Sequence, residues 1–123
     1  MAKTILIIED EKILAGMYRD KFNQAGFRVF WAPDAEEGLK LAKKKLPDLI
    51  ILDILLPGEN GIYFLEKLKK DKKSAEIPII VFSNFDDPEI KRQSLALGVK
   101  NYLIKTSYNP EDMMKEVKKY LKN

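Results

Sequence analysis

The sequence predicts a doubly wound α/β domain, a parallel sheet with helices on both faces. Three observations lead there. Short β-branched or leucine-rich runs alternate with longer amphipathic segments along the whole chain, the pattern of stacked βα units. Three of the short runs, ILII, LIIL and IPIIVF, are almost continuously apolar, as strands buried on both faces are. Several of the longer segments open on capping residues or helix-starting prolines, and two stop at glycine.

The first strand spans Thr4 to Ile8 and is followed by a helix over 11–25, which Gly26 ends. A second strand covers Arg28 to Trp31. Asp34, with Glu37 three residues on, then opens a helix over 35–45. The third strand, Asp48 to Asp53, precedes a helix over 61–71, and the fourth, Ile77 to Phe82, precedes one over 88–97. That helix is capped by Asp87, begun by Pro88 and ended at Gly98. The fifth strand is Asn101 to Ile104. A last helix over 110–122 opens with Asn109, Pro110 and the acidic pair Glu111 and Asp112. The segments Ala25-Gly26-Phe27 and Leu97-Gly98-Val99 recur as helix stop plus strand lead-in, and the whole chain, 1–123, is expected to form one domain. Lysine runs at Lys43–Lys45, Lys69-Lys70, Lys72-Lys73 and Lys118-Lys119 are expected late in helices, as solvated faces that suit the negative end of the helix dipole or as a weak phosphate-binding patch.

Composition narrows the chemistry. With 46% hydrophobic residues in 123, the chain can bury a core without disulfides. A net charge of +3, from 22 Lys and Arg against 19 Asp and Glu, lacks the large cationic excess of a nucleic-acid binder. Histidine and cysteine are both absent, which removes imidazole bases, thiol nucleophiles, ordinary zinc sites and any in-chain phosphohistidine. The apolar run after Thr4 ends at Glu9, too short for a signal peptide or a membrane span, so a cytoplasmic protein with no membrane insertion is expected.

Five βα units are too few for a closed eight-stranded barrel, and in an open sheet ligands gather beyond the carboxyl ends of the strands. The first strand exits into Glu9-Asp10-Glu11, the third into Asp53, the fourth into Ser83 and the fifth into Lys105. In a 2-1-3-4-5 order, Asp53 has acidic groups about 4.8 Å to one side and a hydroxyl to the other. Carboxylates converging in this way repel one another unless a cation sits among them. Oxygen-only donors favour Mg²⁺, with Mn²⁺ as a possible substitute. A carboxylate beside such an ion, with a hydroxyl and a lysine, suits phosphoryl transfer to the carboxylate.

These residues closely resemble the response-regulator receiver domains, the CheY-like phosphoacceptor modules of two-component signalling. The likeness rests on Ile7-Ile8-Glu9-Asp10-Glu11; on Asp53-Ile54-Leu55-Leu56-Pro57-Gly58-Glu59-Asn60-Gly61, similar to D-x-x-x-P-x-x-x-G; on Val81-Phe82-Ser83; and on Tyr102-Leu103-Ile104-Lys105. The resemblance implies a flavodoxin-like (βα)5 fold and makes Asp53 the phosphoacceptor. Glu9, Asp10, Asp53 and the Leu55 backbone carbonyl would be the Mg²⁺ ligands, Ser83 and Lys105 the phosphoryl contacts, and Tyr102 an aromatic switch. It further implies a histidine kinase or histidine phosphotransfer protein as donor. The downstream partner would be met through the fourth helix, fifth strand and fifth helix, with no direct nucleic-acid contact, by a monomer or a phosphorylation-dependent dimer. Such a chain is a switch, not an enzyme beyond its own phosphorylation and dephosphorylation.

Taken singly, Asp53 also reads as a strand terminator, Ser83 as a turn hydroxyl, Tyr102 as packing and Glu11 as an acid suited to a helix start. A receiver-fold binding module that is not phosphorylated in use, and a receiver domain cut from a longer transcription regulator, are the competing functions. Two departures from the family pattern matter. Glu-Asp replaces the commoner Asp-Asp pair, and Thr106 follows Lys105 where the family commonly has a cis proline. A non-proline cis bond costs about 2.5–4 kcal/mol, so the Lys105-Thr106 bond is expected to be either strained cis or trans with a rearranged loop. Leu55 and Phe85 are bulky and apolar where an attacking water needs access, so slow self-hydrolysis is expected.

Overall fold

The computed structural model describes residues 2–121. The order is β1 (Thr4–Ile8), α1 (Lys12–Gln24), β2 (Arg28–Ala32), α2 (Ala35–Lys45), β3 (Leu49–Leu52), α3 (Gly61–Lys69), β4 (Ile79–Ser83), α4 (Pro88–Ala96), β5 (Asn101–Ile104) and α5 (Pro110–Tyr120). All strands are parallel, in the order β2-β1-β3-β4-β5, as expected. Residue 122, the expected end of the last helix, and the extreme ends of the 1–123 span lie outside the described residues.

Strand periodicity divides the core in two. Leu6, Ile8, Ile50, Leu52, Ile79 and Val81 point to the face covered by α2, α3 and α4, where they meet Ala42, Phe64 and Leu68. Their neighbours Ile5, Ile7, Leu49, Ile51, Ile80 and Phe82 point to the other face, against Ala15, Tyr18 and Phe22 of α1 and Met113 and Val117 of α5. Burial on both faces explains why β1, β3 and β4 read as unbroken apolar runs.

The expected caps form. Asp34 accepts from the Glu37 backbone N–H, Asp87 from Glu89 and Ile90, and Asn109 and Asp112 close a reciprocal capping box. Gly26 and Gly98 take left-handed φ values of 95° and 91° just past α1 and α4. Several boundaries differ from expectation by one or two residues, and three of the shifts have a plain physical reason. The strand ladder of β4 begins at Ile79 and not Ile77, because Pro78 has no N–H to donate and contributes only its carbonyl, to Ile50. The third strand is trimmed to Leu49–Leu52, which leaves Asp48 free to accept from the Thr4 backbone N–H at 2.8 Å. The third helix ends at Lys69, so Lys72 and Lys73 sit in a turn where Asp71 accepts from the Lys73 backbone N–H.

Candidate functional site

The carboxyl ends of β1, β3 and β5 bring Glu9, Asp53 and Lys105 together from three parts of the chain. Lys105 Nζ lies 2.6 Å from Glu9 Oε1, 2.9 Å from Asp53 Oδ2 and 3.1 Å from Glu11 Oε2. Glu9 and Asp53 are buried, Asp10 and Glu11 exposed. One carboxylate oxygen from each of Glu9, Asp10 and Asp53 falls within 4.8 Å of the other two. Such hard oxygen donors, close together and half open to solvent, fit a Mg²⁺ ion that keeps several waters.

Local structure aims each acid. Asp53 leaves the strand while its backbone N–H still donates to the Ile8 carbonyl at 3.0 Å, and its Oδ1 accepts from the Leu55 N–H at 3.1 Å. Glu9 Oε2 accepts from the Glu11 N–H at 3.1 Å. Burial pushes the Glu9 carboxyl up to about 7, with Lys105 pulling the other way and the Asp53 charge adding to the rise. Burial alone would lower the Lys105 ammonium, but hydrogen bonds to Glu9 and Asp53 prevail and raise it. Lys105 is therefore the resident cation of an acidic crevice.

After Asp53 the chain folds back sharply. The Gly61 N–H donates to the Ile54 carbonyl at 2.9 Å, and a Cβ on Gly61 would stand 2.8 Å from Ile54 Cα and 2.9 Å from the Asp53 carbonyl oxygen. This close approach accounts for the glycine that ends the D-x-x-x-P-x-x-x-G pattern. Gly61→Ala is expected to destabilise the fold by about 1–3 kcal/mol, read as a lower urea midpoint, because the colliding atoms are backbone. An unchanged midpoint would show that the loop has room to yield.

Ser83 is fully buried at the end of β4, beside β3, and its Oγ accepts from the Phe85 N–H at 3.2 Å. Tyr102 is buried too, and its hydroxyl donates to the Phe85 carbonyl at 2.5 Å. Burial pushes its phenol up to about 12, with the charges of Asp53, Asp86 and Asp87 adding to the rise. Phe85 thus ties Ser83 to Tyr102 through its own backbone. Leu55 is half exposed and Phe85 partly so.

No described peptide bond is cis, so of the two alternatives for Lys105-Thr106 the trans form holds; the chain runs directly into a single 3₁₀ turn over Lys105–Ser107. Threonine lacks the tertiary amide that brings cis within reach. Two residues were missed by sequence reasoning. Glu11, expected only to charge the start of α1, turns its carboxylate to Lys105. Trp31, at the end of β2, donates from its indole Nε1–H to the Glu9 carbonyl at 2.7 Å. A third acid in a row hinted at the first; nothing in the sequence pointed to the second.

A family model described as response regulator receiver domain matches residues 5–118. The phosphate regulon transcriptional regulatory protein PhoB of Pseudomonas aeruginosa is 31% identical over 122 residues, which are 99% of this chain and 53% of that protein. The alkaline phosphatase synthesis transcriptional regulatory protein PhoP of Bacillus subtilis is 33% identical over 122 residues, 99% of this chain and 50% of that one. The chain therefore spans about half the length of these curated relatives. Among solved structures, the chemotaxis protein CheY4 of Vibrio cholerae superposes with a TM-score of 0.90 at 27% identity, covering 98% of this chain and 100% of that one. A CheY-like receiver domain protein from Methanospirillum hungatei does so with 0.90 at 28%, covering 97% and 93%.

Proposed function

The chain belongs to the response-regulator receiver domain family, and from that premise we propose that it is a phosphorylation-driven switch whose phosphoacceptor is Asp53. The observation that carries the reading is the fork in which Lys105 Nζ bridges Asp53 at 2.9 Å and Glu9 at 2.6 Å, with the Asp10 carboxylate close by. Membership of the family points to a histidine kinase or a histidine phosphotransfer protein as donor, and because the chain holds no histidine of its own the phosphoryl group comes from another molecule. Glu9, Asp10, Asp53 and the Leu55 carbonyl are the residues that would hold Mg²⁺. When bound, the ion neutralises charge on the phosphoryl oxygens.

An Asp53 carboxylate oxygen attacks phosphorus, the bond to the donor's imidazole nitrogen breaks, and the imidazole departs with that electron pair. Lys105 exchanges a carboxylate for a phosphoryl oxygen and keeps the new charge paired. Ser83 releases the Phe85 N–H and donates its hydroxyl to another phosphoryl oxygen. Because Phe85 is also the acceptor for Tyr102, that movement loosens the tyrosine's anchor and is felt on the face built from α4, β5 and α5. The shallow seating of α4, whose buried residue is Ser94, supports this face as the one that changes.

The reading is tested by intact mass after incubation with acetyl phosphate or phosphoramidate while Mg²⁺ is titrated. One phosphoryl group per chain, dependent on Mg²⁺, is expected; no addition at any Mg²⁺ concentration favours a binding module that is not phosphorylated in use. Likeness to transcriptional regulators supports an output that ends in gene expression. Among the described residues no helix is long and apolar enough to cross a membrane.

Leu55 and Phe85 flank the route by which water would reach the phosphoryl group, so the phosphorylated state is slow to decay. Replacing both with small polar residues is expected to speed decay about tenfold, equal to about 1.4 kcal/mol of barrier. Unchanged decay would mean that access does not limit hydrolysis.

A further inference from the structure

The geometry points to Trp31 as a positioning residue that sets the affinity of the acidic crevice for Mg²⁺ by pinning the peptide unit between Glu9 and Asp10. β2 stops at Ala32 and is followed by Pro33, which has no N–H to offer the neighbouring strand. The Glu9 N–H still finds the Ala32 carbonyl at 3.0 Å, but the Glu9 carbonyl finds its donor in the Trp31 indole at 2.7 Å. That carbonyl belongs to the peptide plane joining Glu9 to Asp10. Fixing its oxygen fixes the directions in which both side chains leave the backbone, one into the buried fork with Lys105 and one toward solvent.

Trp31 is half-buried and packs on the α1 side of the core, so its ring is held in place independently of the crevice. Of the pair Glu9 and Asp10, the first is also held by Lys105 and the Glu11 N–H, whereas the second makes no side-chain hydrogen bond or ion pair among the described residues. They carry like charges and Asp10 is exposed, so a free peptide plane would let Asp10 swing away from Glu9 and Asp53. A pre-set plane removes that ordering cost before the ion arrives.

This inference rests on the proposed Mg²⁺ site, and the test separates the two. Calorimetry of the wild type with Mg²⁺ alone is expected to give saturable binding. In Trp31→Phe, which keeps an aromatic ring and loses the N–H, the dissociation constant is expected to rise about three- to tenfold, the span of one neutral hydrogen bond. Because Trp31 is the chain's single tryptophan, its indole N–H resonance is unambiguous and is expected to shift along the same Mg²⁺ saturation curve. Binding of equal affinity in wild type and variant, with only a lower melting temperature in the variant, overturns the positioning role and leaves the Mg²⁺ site standing. No binding to the wild type overturns both. Should Trp31→Phe fail to fold, the wild-type resonance decides: a saturable shift supports the role, and a signal unmoved by Mg²⁺ overturns it.

Discussion

Asp53→Asn is expected to abolish Mg²⁺-dependent phosphorylation by acetyl phosphate and to leave the fold intact. The amide has nearly the shape of the carboxylate, but its oxygen is a poor nucleophile and carries no charge to draw in a cation. Lys105 keeps Glu9 and Glu11 as partners, and the Leu55 N–H keeps an acceptor if the amide oxygen faces it, so little packing is lost. Intact mass after treatment reads the outcome directly. A phosphoryl group still added to Asp53→Asn would place the acceptor elsewhere in the crevice, and Asp10 would be the first residue to substitute next.

Lys105→Ala is expected to destabilise the Mg²⁺-free protein by about 3 kcal/mol, the lower end of the usual cost of removing one partner from a buried ion pair. Glu9 and Asp53 are each about one-twentieth exposed, and without the ammonium between them two like charges share a poorly hydrated pocket. The partner Glu11 contributes little to this total, because its carboxylate is well exposed and screened. At the proposed site Mg²⁺ would replace the missing charge. At 100 times its dissociation constant it is expected to return about 2.7 kcal/mol, which would restore most of the loss. Urea unfolding of wild type and variant, each with chelator and with excess Mg²⁺, forms the complete test. A variant as stable as wild type in chelator would show that the fork with Lys105 contributes nothing to the resting fold.

Much of the architecture was legible because it rests on local rules. Asp34, Asp87 and Asn109 cap the helices that their positions announced, and Gly26 and Gly98 adopt the left-handed backbone that a helix stop demands. Boundaries slipped where a residue's hydrogen-bonding capacity outweighed its hydropathy, as with Pro78 ahead of β4 and Asp71 after α3. The C-terminal end of α2 falls at Lys45, as expected; what the sequence does not announce is the left-handed φ of 46° at the capping residue Leu46, a leucine, with Pro47 preventing the helix from continuing.

The amino-acid order alone placed acids, a hydroxyl and a lysine at the carboxyl ends of successive strands, since each strand's apolar run ends where its polar exit residue begins. It also excluded every mechanism that needs an imidazole or thiol of the chain's own. Tertiary structure alone decided which of these groups touch. Lys105 reaches Asp53 across 52 residues of chain and Glu11 across 94, and the Trp31 indole reaches Glu9 across 22. Those contacts arise from the order of strands in the sheet and from where β2 ends against β1. A local pattern of hydropathy and caps specifies the elements themselves; the pairing of their ends is set by how the whole sheet buries both faces at once.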